Sequence, residues 1–119
     1  MSTINLNEKF NLISGHYRPC IIGEVNNCLV KAVKFKGEFL WHHHDNEDEL
    51  FLVVKGSFRM KFRDCERLVR EGEFIVVPHG VEHCPVADEE VHVILIEPKS
   101  TLNTGNITNE RTVAQLERI

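Results

Sequence analysis

Residues 37–56 read GEFLWHHHDNEDELFLVVKG, in which three adjacent histidines are followed by a run of acids and an apolar segment. In a β-strand, residues i and i+2 point to the same face, about 6.6 Å apart along the chain. The side chains of His42 and His44 can therefore converge on one ion, whereas His43 points the other way. The acids predict a polar turn, and a hairpin there would bring Glu49 back beside the two histidines.

A second segment supplies a further histidine, and it reads GEFIVVPHGVEHCPV over residues 72–86. His83 starts a predicted strand after a Pro-x-Gly turn, and a barrel would place it facing the first three side chains. Imidazoles and a carboxylate suit a divalent first-row metal. The predicted metal site therefore consists of His42, His44, Glu49 and His83. A six-coordinate metal there would keep about two positions open for water, oxygen or substrate.

The rest of the chain is dominated by short strand patterns. Apolar and basic residues alternate over residues 58–63, which is typical of a strand with one wet face. Further strands are predicted at residues 20–25, 28–35, 67–70 and 74–77, around residue 83, and at residues 91–96. Lys31 interrupts the apolar parity of its strand. Short strands at close spacing with polar or glycine turns predict an all-β barrel or sandwich.

The chain is expected to form a single domain over residues 1–119, because it contains no linker or low-complexity tract. Apolar residues at helical spacing predict a short N-terminal helix over residues 5–13. The barrel core is predicted at about residues 20–98. The tail, residues 99–119, is interpreted either as a short helix or as an extended edge segment.

Composition argues against two kinds of partner. The formal net charge is −4, with acids and bases interleaved, whereas nucleic-acid binding requires a clustered basic surface. No apolar run is long enough to span a membrane, and the first residues lack the pattern of a secretory signal. We therefore expect a cytoplasmic protein whose four cysteines, none in a Cys-x-x-Cys pair, are free thiols.

The two histidine segments resemble the two motifs of the cupin family. The residues that match the first motif are Gly37-x4-His42-x-His44-x4-Glu49-x6-Gly56, and those that match the second are Gly72-x5-Pro78-x-Gly80-x2-His83. The first motif usually has one more residue between its leading glycine and first histidine. The second usually ends in asparagine, where this chain has Ala87. Neither departure changes a predicted ligand.

The resemblance covers roughly residues 30–98 and implies a double-stranded β-helix (jelly-roll) barrel with one metal inside. Within the cupins, the chain is similar to a small single-domain group that has an Asn-Thr-Gly stretch after the barrel, here residues 103–105. Members of the superfamily bind Fe, Mn, Ni, Zn, Co or Cu. They include dioxygenases, isomerases, storage proteins and sensor domains, so the fold does not determine the reaction.

The function expected from this resemblance is that of a metal-dependent enzyme acting on a small molecule, either dioxygenase-like or isomerase-like. The alternative is a non-catalytic metal-binding, ligand-binding or sensor cupin. Three histidines and one carboxylate favour Fe(II) or Mn(II) for oxygen chemistry, whereas Zn or Ni suits Lewis-acid chemistry better. Open positions beside a cation favour a chelating or anionic substrate such as an enol, a carboxylate or a diol.

One histidine outside the motifs has a possible catalytic role. His92 lies between Val91 and Val93 in a predicted buried strand. If its side chain faces inward, it could serve as an acid or base close to the metal. The alternative is a hydrogen-bonded core residue that takes no part in catalysis.

The outward-facing positions of the predicted strands bear on assembly. Leu50, Leu52 and Val54 are apolar on the face opposite Glu49. The predicted strands at 74–77 and 91–96 are apolar on both faces as well. Strands that are apolar on both faces need cover outside the barrel. This pattern predicts a homodimer in which one sheet packs against its copy.

Overall fold

The computed structural model describes all 119 residues, Met1 to Ile119. Its elements in chain order are α1 (Leu6–Asn11), β1 (Cys20–Val25), β2 (Cys28–Glu38), β3 (Glu49–Lys55), β4 (Ser57–Phe62), β5 (Glu66–Arg70), β6 (Phe74–Val77) and β7 (His83–Pro98). The predicted all-β architecture with a short N-terminal helix is confirmed. No helix has both the length and the apolar character that crossing a membrane requires.

The helix α1 is shorter at both ends than its apolar spacing predicts. Asn5 caps its start, since the side-chain oxygen accepts a hydrogen bond from the Glu8 backbone N–H at 3.0 Å. At the other end the Leu12 N–H donates to the Lys9 carbonyl, which closes the last turn after Asn11. Phe10 is the buried residue of this helix and ties it to the outside of the sheet.

The strands pair antiparallel, and β7 is central to the arrangement. The sheet order is β1-β2-β7-β3-β6, with β4 pairing both β5 and β7. The two strands predicted around residue 83 and at 91–96 are one continuous strand of 16 residues. One edge of β7 pairs with β2 along its length, while β3 and β4 follow one another along the other edge. Gly56 joins these two strands with a φ of +90°, a conformation that favours glycine.

The inner faces of these strands supply the core of the barrel. Every second residue of β2, β3 and β7 points inward, as the period of a strand requires. The central apolar residues include Val33, Phe35, Phe51, Val53, Val91 and Val93. A smaller cluster lies on the outer face, where Phe10 and Ile13 cover Ala32 and Ile94. The N-terminal segment therefore covers only part of the outside of the sheet.

A neighbouring part of the outer face is apolar and uncovered. We call the set Leu50, Leu52, Phe74, Val76 and Ile96 the outer patch. Leu50 lies opposite Val76 and Ile96 in the sheet, and Leu52 lies opposite Phe74. Residues 74–77 were predicted to need cover on both faces, and within the single chain Phe74 and Val76 are 61% and 47% exposed. They lie on an edge strand that pairs only with β3, so nothing in the chain covers their outward side chains.

The tail, residues 99–119, forms neither a helix nor a regular strand. It is a series of turns that ends with Arg118 in a single parallel bridge to Ile21 of β1. The Ile21 N–H donates to the Glu117 carbonyl at 2.8 Å, and the Ile119 N–H donates to the Ile21 carbonyl at 3.1 Å. The end of the tail thus matches the extended edge interpretation, while its first part crosses the barrel near the histidines.

Candidate metal centre

The histidine segment is held by the segment around His83. The His42 N–H donates to the His83 carbonyl at 3.1 Å, and the His83 N–H donates to the His42 carbonyl at 2.9 Å. The Gly80 N–H donates to the His44 carbonyl at 2.7 Å. The predicted hairpin between this segment and Glu49 was therefore wrong. The hairpin does not form because the backbone groups of His42 are already hydrogen-bonded to His83, while β3 pairs with β6 and β7.

The four predicted metal-site side chains nevertheless lie together inside the barrel. They are only 1–4% exposed, and they are His42, His44, Glu49 and His83. One donor atom from each residue lies within 4.8 Å of the donor atoms of the other three. The structure thus brings together two neighbouring histidines, the first residue of β3 and the first residue of β7.

Backbone carbonyls orient two of the imidazoles. The Nδ1 of His42 lies 3.0 Å from the Leu40 carbonyl oxygen, and the Nδ1 of His83 lies 2.8 Å from that of Val81. A carbonyl oxygen only accepts, so each Nδ1 carries the hydrogen and donates it. Each Nε2 then keeps its lone pair, which is the form of histidine that binds a metal.

The carboxylate of Glu49 lies between two imidazoles. Its Oε1 lies 3.1 Å from the Nε2 of His83 and 2.9 Å from the Nε2 of His44. The second contact is not aligned as a hydrogen bond, and His44 Nε2 has no partner although it is buried. A buried nitrogen without a partner is costly, and a cation would satisfy it. The donor set therefore fits a divalent transition metal.

The electrostatic environment favours the ligand forms of these groups. Burial and, to a smaller extent, the neighbouring His83 lower the pKa of His42 to about 4. Burial alone would raise the pKa of Glu49, but the adjacent imidazoles of His44 and His83 outweigh it and hold that pKa well below its ordinary value. At neutral pH the site therefore contains neutral His42 and an ionised Glu49, which are the forms that a metal requires.

A small cavity adjoins the cluster. His42 and Glu49 line it on one side, and its remaining walls are largely apolar, formed by residues that include Val33, Phe35, Phe51 and Leu95. The space in which the centre of a water molecule fits is about 30 Å³. Since one water needs roughly 10–15 Å³ by this measure, the cavity holds about two waters or a ligand of a few atoms.

A buried ion pair lies on the inner face of β2 and β7 and was not predicted. The Nζ of Lys31 donates to Oε1 of Glu97 at 2.7 Å, and both residues are at most 2% exposed. Glu97 lines the cavity together with Glu49. Burial raises the pKa of Glu97 well above its ordinary value and the charge of Glu49 raises it further, while Lys31 opposes both. The sequence signal that could have indicated this ion pair is Lys31 itself, which interrupts the alternation of apolar residues in its strand.

His92 lies outside the barrel, so its predicted role as an acid or base close to the metal was wrong. Val91 and Val93 take the inward positions, and His92 therefore points outward. Its ring stacks on Phe10 of α1, with centroids 4.5 Å apart. Its Nε2 lies 3.5 Å from a carboxylate oxygen of Glu90.

The tail holds the histidine segment from the outside. The Asn106 side chain accepts from the His43 N–H at 2.9 Å, and the Asn106 N–H donates to the His43 carbonyl at 3.0 Å. A Cβ on Gly105 would lie 2.2 Å from that carbonyl oxygen and 3.0 Å from the ring of His42. His43 itself points outward, and its Nε2 lies 2.9 Å from Asp45 Oδ1. The contacts between the tail and the histidine segment were not predicted. The sequence showed only that residues 103–105 resemble a stretch found after the barrel in similar cupins.

Comparison with known families identifies the class of this protein. Residues 31–97, more than half of the chain, match the model of the cupin domain. The chain therefore belongs to the cupin family, as its two motifs predicted. Its antiparallel strands form the double-stranded β-helix, or jelly-roll, of that family.

Several individual proteins are similar to this chain. A cupin-2 domain protein from Shewanella frigidimarina is 44% identical, with a TM-score of 0.80 over 82% of this chain and 95% of that one. Protein NMB1881 from Neisseria meningitidis is 32% identical, with a TM-score of 0.76 over 82% of this chain and all of that one. The uncharacterized protein YdbB of Bacillus subtilis is 40% identical over 52% of this chain, and the match spans 56% of YdbB.

Proposed function

We propose that this cupin binds one divalent transition metal through His42, His44, Glu49 and His83. The observation that carries the proposal is the convergence of four buried donor atoms within 4.8 Å, one of which, His44 Nε2, has no other partner. Three neutral imidazoles and one carboxylate would leave a divalent ion with a net positive charge. That charge favours an anionic or chelating ligand at the open positions.

The second part of the proposal is that the centre serves an enzyme acting on a small molecule. A metal bound here would supply Lewis-acid or oxygen-activating chemistry, with Fe(II) or Mn(II) suiting the dioxygenase-like branch and Zn or Ni the isomerase-like one. The apolar walls of the cavity would exclude bulk water, and its narrow space would select a ligand of few atoms. The alternative is a non-catalytic sensor of a metal or a small ligand. The narrow cavity favours this alternative, because few substrates fit inside it.

Metal content tests the ligand assignment. Untagged wild-type protein should contain about one metal per chain, and His42→Ala, His44→Ala and His83→Ala should each lose most of it. The matched control is His43→Ala, which removes the adjacent outward-facing imidazole and should retain the metal. Equal occupancy in all five proteins would show that these residues do not hold it.

Oxygen uptake separates the two functional classes. Protein loaded anaerobically with Fe(II) is screened against thiols, enols and carboxylates of a few non-hydrogen atoms for consumption of dissolved oxygen. Uptake that requires both substrate and intact His83 would support the dioxygenase-like branch. If no candidate consumes oxygen with any loaded metal, that branch is wrong, while the metal assignment stands on its own assay.

We also propose that the protein is a homodimer packed through the outer patch. The support is the exposure of Phe74 and Val76 beside half-buried leucines, an apolar face that the helix does not cover. Light scattering should give twice the chain mass of 13.7 kDa for the wild type, and Val76→Glu should shift it toward the monomer. Val25→Glu is the control, because Val25 is exposed but lies outside the patch. A monomeric wild type at micromolar concentration would contradict the proposal.

A cytoplasmic location remains part of the proposal. Its support is the state of the four cysteines, all of which are free thiols. Free thiols suit a reducing compartment. Fractionation of cells that express the chain at its native level is the direct test, and recovery outside the cytoplasm would contradict it.

A further inference from the structure

Glu97 is a buried charged residue that the metal-binding proposal leaves without a role. It is 2% exposed and lines the cavity beside His42 and Glu49. Lys31 bonds its Oε1 at 2.7 Å, but its Oε2 is buried without a hydrogen-bond partner. A buried ion pair is weak evidence for stability, because apolar residues of similar volume often replace one without loss. The unpartnered oxygen therefore calls for another explanation.

The charges around the cavity describe a small ligand with two different polar groups close to one another. A divalent metal beside Glu49 leaves a net positive charge at one end, which suits a carboxylate. Glu97 lines the same cavity and contacts the carboxyl group of Glu49, among apolar walls. A hydroxyl group suits that position because it can both donate and accept a hydrogen bond, whichever form the carboxyl group takes.

We propose that Glu97 is a ligand-binding residue of this cavity and that the ligand is a small hydroxy acid. Its carboxylate occupies the metal side, and its hydroxyl contacts Glu97, which Lys31 holds in place. The small volume of the cavity restricts the class to molecules of a few non-hydrogen atoms. The inference rests on the proposed metal site, since the metal provides the anion-binding end.

The test compares glycolate with acetate, which differ by one hydroxyl group, on metal-loaded protein by calorimetry. Two matched variants, Lys31→Met/Glu97→Gln and Lys31→Met/Glu97→Leu, both lack the ion pair and differ in whether residue 97 can form a hydrogen bond. The wild type should prefer glycolate, and the glutamine variant should keep most of that preference. The leucine variant should lose about tenfold of it, the effect of one buried hydrogen bond.

Each contrary result has a distinct meaning. An equal preference in the glutamine and leucine variants would mean that metal chelation alone recognises the hydroxyl, which overturns the proposal. A metal-loaded wild type that binds both acids equally overturns it too, and leaves the metal site standing. Metal content is measured beforehand, so a wild type without metal would instead refute the proposed function. If the leucine variant does not fold, Lys31→Met/Glu97→Met carries the same test with a more adaptable side chain.

Discussion

The two faces of β3 perform different tasks with the same alternating pattern. On the inner face Glu49 reaches the metal cluster, and Val53 is 1% exposed within the core. On the outer face Leu50 and Leu52 are half-buried and lie in the outer patch. The comparison shows that alternation separates the two faces but does not say what covers each. The inner face is completed by other strands of this chain, whereas part of the outer face is not.

The largest expected effect is the loss of stability on metal removal, which acts through the inner face of β3. A metal that binds only the folded state adds RT ln(1 + [L]/Kd), or about 4 kcal/mol at a thousandfold excess over Kd. Chelator treatment should therefore lower the melting temperature of the wild type markedly, and that of His44→Ala hardly at all. Scanning calorimetry measures both. Equal losses would mean that the chelator acts elsewhere, for example on surface histidines.

A second expected effect concerns the tail that contacts the histidine segment from outside. Gly105→Ala should destabilise the protein by about 2–3 kcal/mol, because its Cβ would meet the His43 carbonyl oxygen at 2.2 Å. It should also weaken metal binding, since the ring of His42 lies 3.0 Å from the same point.

The control for this variant is Gly72→Ala. Gly72 also has a positive φ, +81° against +58° for Gly105, but nothing lies within 4 Å of its added Cβ. It should therefore cost only the backbone strain, about 1–2 kcal/mol, without loss of metal. Equal metal affinity in both variants would indicate that the tail does not help position His42.

A matched pair on β3 tests the comparison itself. Val53→Ala should cost about 2 kcal/mol, because it removes two buried methyl groups and leaves a cavity. Val54→Ala makes the same chemical change at a half-buried outer position and should cost less than about 1 kcal/mol. Urea unfolding of both variants gives the difference, and equal costs would mean that the outer face is as fully packed as the inner one.

The smallest expected effect concerns the outer-face histidine. Burial against Phe10 lowers the pKa of His92, although Glu90 opposes the shift. The unfolded chain therefore binds a proton at His92 more readily than the folded protein does. Its contribution to stability is complete above the unfolded pKa of about 6.5 and decreases as the pH falls through that value.

His92→Phe keeps an aromatic ring against Phe10 but cannot titrate. The free energy of unfolding should fall less between pH 7.5 and pH 5 in this variant than in the wild type. Urea unfolding at the two pH values measures the difference. A steeper fall in the variant would show that the protonated imidazole is stabilised in the folded protein, contrary to the direction given above.

Local patterns were sufficient to predict most strands and the members of the cluster. The i, i+2 spacing of His42 and His44 depends only on strand geometry, and the predicted barrel added His83 to the same interior. The identity of the pairing partner could not be predicted this way. Strand pairing is non-local, and the histidine segment was expected to pair with Glu49 rather than with His83.

The remaining errors share one physical cause. Whether an apolar strand is covered depends on what lies opposite it, which periodicity does not record, so the pattern of residues 74–77 did not show that Phe74 and Val76 are left uncovered by the chain. The direction in which the His92 side chain points could not be predicted for the same reason, since it depends on the inward placement of Val91 and Val93. Lys31 and Glu97 are far apart in sequence, and only the register of β2 against β7 brings them together.

X-ray absorption at the metal edge is the decisive measurement for the four-residue metal site, because it reports the atoms that surround the metal. For zinc-loaded wild type, we expect nitrogen and oxygen neighbours at about 2.0–2.2 Å, with the multiple-scattering pattern of about three imidazoles and no sulfur. The same spectrum is predicted for His43→Ala. A sulfur neighbour at about 2.3 Å, or fewer than two imidazoles, would place the metal outside the His42, His44, Glu49 and His83 cluster and refute the proposed site.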